Sequence, residues 1–210
     1  MNHVAGAFGY PFRKGAAGAW AVGLPLVLLL PVTFLLVLGY WVAAVRASAT
    51  DPEAGPPPWR QLGQILRDGF WISLVLALLT LPFALALPAL ATAYTGLTAR
   101  LESDAFLYRS YALVLAVATL ALPWGILLLV LLPAATIRYA RSNAARDLFD
   151  FPAAIGLVRR RFAVWNLVGV AVVTAWAVGL AGLGLLCVGI VPGVFFAMLV
   201  SAHATAALDG

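Results

Sequence analysis

The sequence contains very little charge, and long parts of it contain none. Only 10% of its 210 residues are Asp, Glu, Lys or Arg, whereas 64% are hydrophobic. Soluble domains carry about 25% charged and about 45–50% apolar residues. Four stretches have no charged residue: 15–45, 69–99, 110–137 and 162–208. This distribution excludes a water-soluble globule, because a folded chain of this size could not bury so much apolar surface.

Residues that carry chemistry are equally scarce. The single cysteine, Cys187, excludes an internal disulfide and is interpreted as a small buried apolar residue. The two histidines, His3 and His203, have no evident partner and are interpreted as ordinary interfacial residues. A metal site needs several converging ligands, and Cys187, His203 and Asp209 are too sparse to form one. The sequence therefore predicts no catalytic, cofactor-binding or metal site, and we do not expect an enzyme.

The uncharged stretches predict membrane-spanning helices. A span needs about 20 predominantly apolar residues, and the last stretch is long enough for two. We predict an all-α polytopic bundle with four full spans, over residues 70–98, 110–137, 163–180 and 185–206. In the first stretch, 15–45, Pro25 and Pro31 leave arms of about 21 Å, too short to cross a core of about 30 Å. We predict a hairpin there, with a fifth span as the alternative, because proline is tolerated in membrane helices.

Two segments outside the spans predict amphipathic helices that lie in the membrane interface. In the first, 59–69, the apolar residues fall within one arc of about 140° and the polar residues, Asp68 among them, lie opposite. The second, 150–162, has apolar residues at helical spacing, Asp150 as its predicted N-cap and arginines near its end. An offset of 92 residues aligns the two segments. This alignment indicates either an internal duplication or a chance similarity between two amphipathic helices.

The basic residues predict the orientation of the chain. With five spans, nine basic residues lie on one side and four on the other, whereas the hairpin gives eleven against two. The positive-inside rule favours the hairpin and places both termini in the cytoplasm, with the protein in the inner membrane of a prokaryote. We therefore attribute the net charge of +5 to topology rather than to nucleic-acid binding.

Several residues are predicted to contact lipid or a protein partner. They are Trp59, Arg60, Arg67, Arg159, Arg160 and Arg161. Anionic lipids are one ligand that the arginine run would bind, and anchoring of the topology is the alternative reading. Gly189 and Gly193 form a GxxxG pattern that favours close helix packing, although Pro192 offers a kink instead.

The uncharged spans argue against ion-coupled transport, because coupled carriers usually place ionisable residues inside the membrane. We expect a non-enzymatic accessory or scaffold subunit that packs with other membrane proteins or with itself. The alternative is a small permease or lipid-handling protein. A polar cavity lined by Ser73, Thr80, Thr92, Tyr94 or Asn166 would favour this alternative.

Eight short motifs are spaced along nearly the whole chain. They are Tyr10-Pro11-Phe12-Arg13, Gly39-Tyr40, Pro57-Pro58-Trp59, Asp68-Gly69, Ala140-Arg141, Arg159-Arg160-Arg161, Cys187-Val188-Gly189 and Ala202-His203. Their order resembles a prokaryotic family of polytopic membrane proteins known only as a domain of unknown function. The resemblance implies the fold and no activity. Where that family has acidic residues in the first amphipathic segment, this chain has Arg60, Gln61 and Gln64, which leaves the identity of any partner open.

Overall fold

The computed structural model is built from helices and describes residues 4, 6–100, 104–184 and 189–209. The described helices are α1 (Ala16–Leu28), α2 (Leu30–Thr50), α3 (Leu62–Thr98), α4 (Ala105–Ser142), α5 (Arg146–Phe149), α6 (Phe151–Arg160), α7 (Phe162–Ala181) and α8 (Ile190–Ala206). Short 3₁₀ turns lie at Gly6–Phe8, Tyr10–Phe12 and Gly182–Gly184. Within these residues there is no strand, so the all-α prediction is confirmed.

The chain divides into two compact units. Unit 1 comprises Met1–Ser73 and Pro133–Gly210, and unit 2 comprises Leu74–Leu132. The helices α3 and α4 contribute residues to both units, and the other described helices belong to unit 1. Among the described helices, four are long and apolar enough to cross a membrane, namely α2, α3, α4 and α7. Helix α8 has 17 residues, and the first part of its predicted span lies outside the described residues.

Unit 1 is organised around α8. This helix packs against α1, α2 and α7 and against the two N-terminal 3₁₀ turns. Eleven of its 17 residues are buried, so it has a protein neighbour on most of its surface. Its Phe195 lies between the rings of Trp20 on α1, at 4.9 Å, and Tyr40 on α2, at 6.2 Å between centroids. The predicted last span is therefore the core of unit 1.

Glycines allow α7 and α8 to approach closely. A Cβ on Gly193 would collide with the carbonyl oxygen of Gly179, and a Cβ on Gly179 would collide with that of Gly193. Gly189 and Gly182 face each other in the same way. Both glycines of the GxxxG pattern therefore lie in this contact, where a larger side chain would force the backbones apart. Pro192 lies in the first turn of α8, where its missing N–H leaves no helical hydrogen bond unmade.

Helices α1 and α2 form a hairpin. Leu29 separates them with φ −95° and ψ 23°, and Pro31 follows in the first turn of α2. The indole of Trp59 stacks on Tyr40 with ring centroids 3.8 Å apart, and its Nε1 donates to the Ala19 carbonyl at 3.2 Å. Since Ala19 and Tyr40 lie at similar distances before and after Leu29, the two arms must fold back on each other. The 13 residues of α1 span about 20 Å, less than a bilayer core of about 30 Å. The 21 residues of α2 span about 31 Å and are long enough to cross a membrane, so the prediction that both arms are too short was wrong for the second arm.

The amphipathic helix predicted over 59–69 is not a separate element. Helix α3 begins at Leu62 and continues without interruption to Thr98. Since no proline lies between Trp59 and Leu81, nothing stops the helix once it has started. The second predicted segment does end, because Arg161 leaves the helical range with φ −117° and ψ 35°. The two segments aligned by the 92-residue offset therefore differ in structure.

Unit 2 is built from residues 74–98 of α3 and 105–132 of α4. Polar side chains join the two helices: Trp124 Nε1 donates to Thr80 Oγ1 at 3.1 Å, and the hydroxyls of Tyr94 and Thr119 lie 3.0 Å apart. Only 11% of the most apolar part of α3 and 6% of that of α4 is buried. Nearly the whole apolar surface of these helices is thus open to lipid or to another protein.

Candidate functional site

A buried carboxylate lies where α2, α3 and α4 meet in unit 1. The side chain of Asp68 is fully buried. Its Oδ2 accepts a hydrogen bond from the Arg46 guanidinium at 3.0 Å, and its Oδ1 accepts one from the Tyr139 hydroxyl at 2.6 Å. Both oxygens are thus bonded, as a carboxylate removed from water requires. We call Arg46, Asp68, Tyr139 and Asn143 the Asp68 cluster.

Arg46 makes the remaining bonds of the Asp68 cluster. Its Nε donates to the Ala140 carbonyl at 3.2 Å, and its Nη2 donates to Asn143 Oδ1 at 2.9 Å. A guanidinium suits this position, because its N–H groups reach several acceptors at once. Asn143 ends α4 with a φ of 54°, which asparagine tolerates better than most residues. Because these polar groups bind one another, the cluster can hold α2, α3 and α4 together. For the same reason its side chains are poorly suited to acid–base chemistry.

The placement of Asp68 on the polar face of an interfacial helix was wrong. A signal for its burial was present, because Asp68 directly precedes an uncharged stretch, where an acid is costly unless it is paired. Its partners carried no local signal. Arg46 lies 22 residues away across a proline-rich linker, and Tyr139 lies 71 residues away.

A second buried polar group, His203, packs the end of α8 against the N-terminal turn. Its ring stacks on Tyr10 with centroids 4.6 Å apart, and its Nδ1 lies 3.1 Å from Ser48 Oγ. His203 is fully buried, so the interpretation as an interfacial histidine was wrong. Burial raises the pKa of Tyr10 to about 12, so the phenol stays neutral to a higher pH than an exposed tyrosine would.

An open groove in unit 1 carries four arginines. Arg138, Arg141, Arg160 and Arg161 line it together with Asp209 and three aliphatic side chains, and its volume is about 210 Å³. We call it the arginine groove. It unites two predicted contact residues, Arg160 and Arg161, with two arginines from the end of α4. The third member of the predicted run, Arg159, does not line the groove, although it is exposed as Arg160 is.

One wall of the arginine groove is fixed by Asp150. The guanidinium of Arg138 donates to Asp150 Oδ2 at 2.9 Å and to its carbonyl oxygen at 3.0 Å. Asp150 also caps α6, as predicted, by accepting a hydrogen bond from the Ala153 N–H at 3.1 Å. The bond from Ala153 and then the bond from Arg138 lower the pKa of Asp150, so its carboxylate stays charged. Arg138 is therefore held in place by a permanent anion.

The other arginines of the groove differ in their pairing. Arg141 pairs with the Asp209 carboxylate through Nε and donates to the Asp209 carbonyl oxygen at 2.6 Å. Arg160 and Arg161 form no ion pair with any acid in the described part of the chain. The groove thus contains two guanidinium groups that are not neutralised by a described carboxylate.

The other predicted contact residues do not line the arginine groove. Trp59 is fixed between the arms of the hairpin by its stacking and its hydrogen bond. Arg60 is exposed. Arg67 lines a separate shallow depression together with Gln64 and Asn143. The six predicted contact residues are thus two arginines of the groove, one arginine of the depression, one packing residue, Trp59, and two exposed arginines that line neither surface, Arg60 and Arg159.

Metal ligands do not converge within the described residues, where no group of three His, Cys, Asp or Glu could hold an ion. His3 and Cys187 lie outside the described residues.

The fold and the clusters define a class: an all-α polytopic membrane protein with a cluster of hydrogen-bonded polar side chains where α2, α3 and α4 meet. Within this class the chain belongs to the family described as Protein of unknown function (DUF4013), whose model matches residues 23–200. The resemblance inferred from the eight motifs is thereby confirmed. No curated protein and no solved structure matches the chain.

Proposed function

We propose that this protein is a non-enzymatic membrane subunit that associates through unit 2 with another membrane protein or with a second copy of itself. The exposed surface of the unit 2 helices supports the proposal. Residues 74–99 and 110–132 carry no charge, and nearly all of their apolar surface is open. Lipid alone could cover such a surface, and the kind of side chain that is exposed distinguishes a lipid contact from a helix contact.

Small residues follow one line along α3 in unit 2. Pro82, Ala86, Ala89, Ala93 and Gly96 fall within an arc of about 80° at 100° per residue, and all five are exposed. A Cβ on Gly96 would meet no atom within 4 Å. Small residues on a membrane helix allow a second helix to approach closely, and contact with acyl chains does not require them. We call this line the small-residue face.

The small-residue face is not used inside unit 2. Thr80 and Thr98 make the contacts of α3 with α4, through Trp124 and Tyr108. These threonines lie about 160° around the helix from the centre of the small-residue face. The face is therefore directed away from α4 and is available to a separate helix.

The permease alternative receives less support from the hydroxyl-bearing residues predicted to line a cavity. Ser73 and Thr92 each donate to a carbonyl oxygen of their own helix. Thr80 and Tyr94 are bonded within the pair of helices that forms unit 2. Side chains that line a water-filled path would instead have hydroxyl groups that hydrogen-bond to solvent or solute.

The proposal is tested by photo-crosslinking in native membranes. A photoreactive amino acid is placed at Ala89 or Ala93 on the small-residue face, or at Ala84 as the matched control. Ala84 is also an exposed alanine of α3, about 140° away from Ala89 around the helix. We expect one adduct of defined mass, identified by mass spectrometry, from positions 89 and 93 and not from position 84.

Bulky substitutions complete this test. With the probe at Ala93, Ala89→Leu should remove the adduct and Ala84→Leu should leave it unchanged, because only the first fills the small-residue face. Adducts with lipid alone at all three positions would refute the subunit proposal and make solute and lipid transport assays the next step.

We further propose that both termini lie in the cytoplasm of a prokaryotic cell. The stacking of Tyr10 on His203 supports this arrangement, because it holds the N-terminal turn against the end of α8. In a Cys187→Ser background, Asn2→Cys and Asp209→Cys should resist a membrane-impermeant maleimide in intact cells and react in inverted membranes. Asp104→Cys, between α3 and α4, is the control and should show the opposite pattern. Labelling of Asn2→Cys and Asp209→Cys from opposite sides would contradict the arrangement.

A further inference from the structure

We propose that the arginine groove binds a phosphate-type anion, with Arg160 and Arg161 as its principal ligands. This inference does not depend on the association of unit 2, because every residue of the groove belongs to unit 1. It assigns a class of ligand to the groove. It also attributes ligand binding to Arg160 and Arg161 and not to Arg159.

The arginine groove contains more positive than negative charge. Arg138 is neutralised by Asp150 and Arg141 by Asp209. Two adjacent guanidinium groups, those of Arg160 and Arg161, add positive charge that the described acids do not offset. Clefts lined by one sign of charge concentrate the opposite ion, and guanidinium groups bind phosphate in a bidentate manner.

Arg161 is half-buried and joins the end of α6 to the start of α7, where its side chain makes no capping hydrogen bond. The negative end of α6 and the positive end of α7 both lie beside it, so the attraction for an anion comes from the guanidinium groups of the groove and not from the helix dipoles. The groove volume of about 210 Å³ is large enough for one phosphate group.

Phosphate could come from a lipid headgroup or from a soluble phosphate compound, and the surroundings favour the lipid. Phe162 directly follows Arg161, is 58% exposed and stacks on Trp165 with centroids 5.8 Å apart. Aromatic residues at the end of a span lie at the level of the headgroups. Val170 and Val173 continue an exposed apolar surface along α7, on which an acyl chain could lie.

The competing explanation is that the arginines only anchor the topology, and a matched pair of variants separates the two. Arg160→Gln/Arg161→Gln removes two charges from the groove. Arg146→Gln/Arg159→Gln removes two charges from exposed arginines that do not line the groove. Anchoring predicts equal effects, since each arginine near an anionic surface contributes similarly. Anion binding in the groove predicts a large loss of binding for Arg160→Gln/Arg161→Gln alone.

The full-length protein and both variants are placed in nanodiscs that contain phosphatidylcholine with or without phosphatidylglycerol. Lipid retained by the protein is counted by native mass spectrometry. We expect wild type to retain phosphatidylglycerol, Arg160→Gln/Arg161→Gln to retain about tenfold less, and Arg146→Gln/Arg159→Gln to stay within about twofold of wild type. A second arm titrates inorganic phosphate, with chloride at equal ionic strength, and follows thermal unfolding in phosphatidylcholine nanodiscs.

The arms distinguish the sources of the anion. Selective retention of phosphatidylglycerol supports a lipid ligand, and stabilisation by phosphate that is lost only in the groove variant supports a soluble one. Equal losses in both variants, or no anion bound in either arm, would overturn the proposal. If Arg160→Gln/Arg161→Gln does not fold, Arg160→Lys/Arg161→Lys replaces it. The lysine variant keeps the charge, loses bidentate binding and should still retain less anion than wild type.

Discussion

Asp68→Ala is expected to destabilise unit 1 by about 3–5 kcal/mol, the cost of removing one partner from a buried ion pair. The reason lies in the groups that remain. Arg46 keeps a largely buried positive charge, with only 23% of its side chain exposed, and the Tyr139 hydroxyl loses its acceptor. Thermal and denaturant unfolding of the purified protein in detergent, followed by circular dichroism, measures the loss.

Three further variants test whether the ion pair causes this effect. Asp68→Asn keeps an acceptor for Tyr139 and loses the charge, so it should lie between wild type and Asp68→Ala. Asp68→Leu combined with Arg46→Met should recover part of the stability, because neither charge is then left unpaired. Glu53→Ala, at an exposed position, should stay within about 0.5 kcal/mol of wild type. An Asp68→Ala protein as stable as Glu53→Ala would show that the Asp68 cluster contributes little to folding.

Gly39→Ala and Gly69→Ala should each destabilise unit 1 by about 1–3 kcal/mol, the usual cost of overpacking a close contact. A Cβ on Gly39 would collide with the Ile65 carbonyl oxygen, and a Cβ on Gly69 with the Leu35 carbonyl oxygen. These atoms belong to the backbone and cannot rotate aside, so α2 and α3 would have to separate. The same unfolding measurement detects the change.

Gly125→Ala provides the matched control, because Gly125 lies inside α4 and a Cβ there would meet no atom within 4 Å. Alanine favours a helix over glycine by about 1 kcal/mol, so this substitution should be neutral or stabilising. The same chemical change thus has opposite expected signs at Gly39 and Gly125. Stabilisation by all three substitutions would mean that the close crossing of α2 and α3 does not limit stability.

Hydropathy alone located most of the fold, because a span must be apolar over its whole length. The turn between α1 and α2 was also predictable from Pro25 and Pro31. The length of the second arm was not, because α2 runs on from Leu30 to Thr50 and is long enough to cross a membrane. The continuity of α3 was not predictable from the same pattern. An amphipathic segment before a span has the same sequence periodicity whether the helix bends at Phe70 or continues through it.

Only part of each candidate site could be predicted from the sequence, because the side chains that form a site come from distant parts of the chain. The run from Arg159 to Arg161 stood out in the sequence, yet nothing local indicated that Arg160 and Arg161 meet Arg138 and Arg141 while Arg159 does not. Burial of His203 depends on its stacking with Tyr10, which lies at the other end of the chain. Periodicity reports which face of a helix is apolar and says nothing about which distant element covers that face.

The lengths of α3 and α4 have a consequence for the lipid around them. Their uncharged parts, 31 and 28 residues with the adjoining chain, correspond to about 46 and 42 Å of helix, whereas a hydrocarbon core is about 30 Å thick. In a bilayer of average thickness such helices must tilt, bend at Pro82 or Pro88, or thicken the membrane locally. A neighbour with equally long spans would share that deformation and reduce its cost. If unit 2 associates as proposed, hydrophobic mismatch would therefore favour partners with spans of matching length.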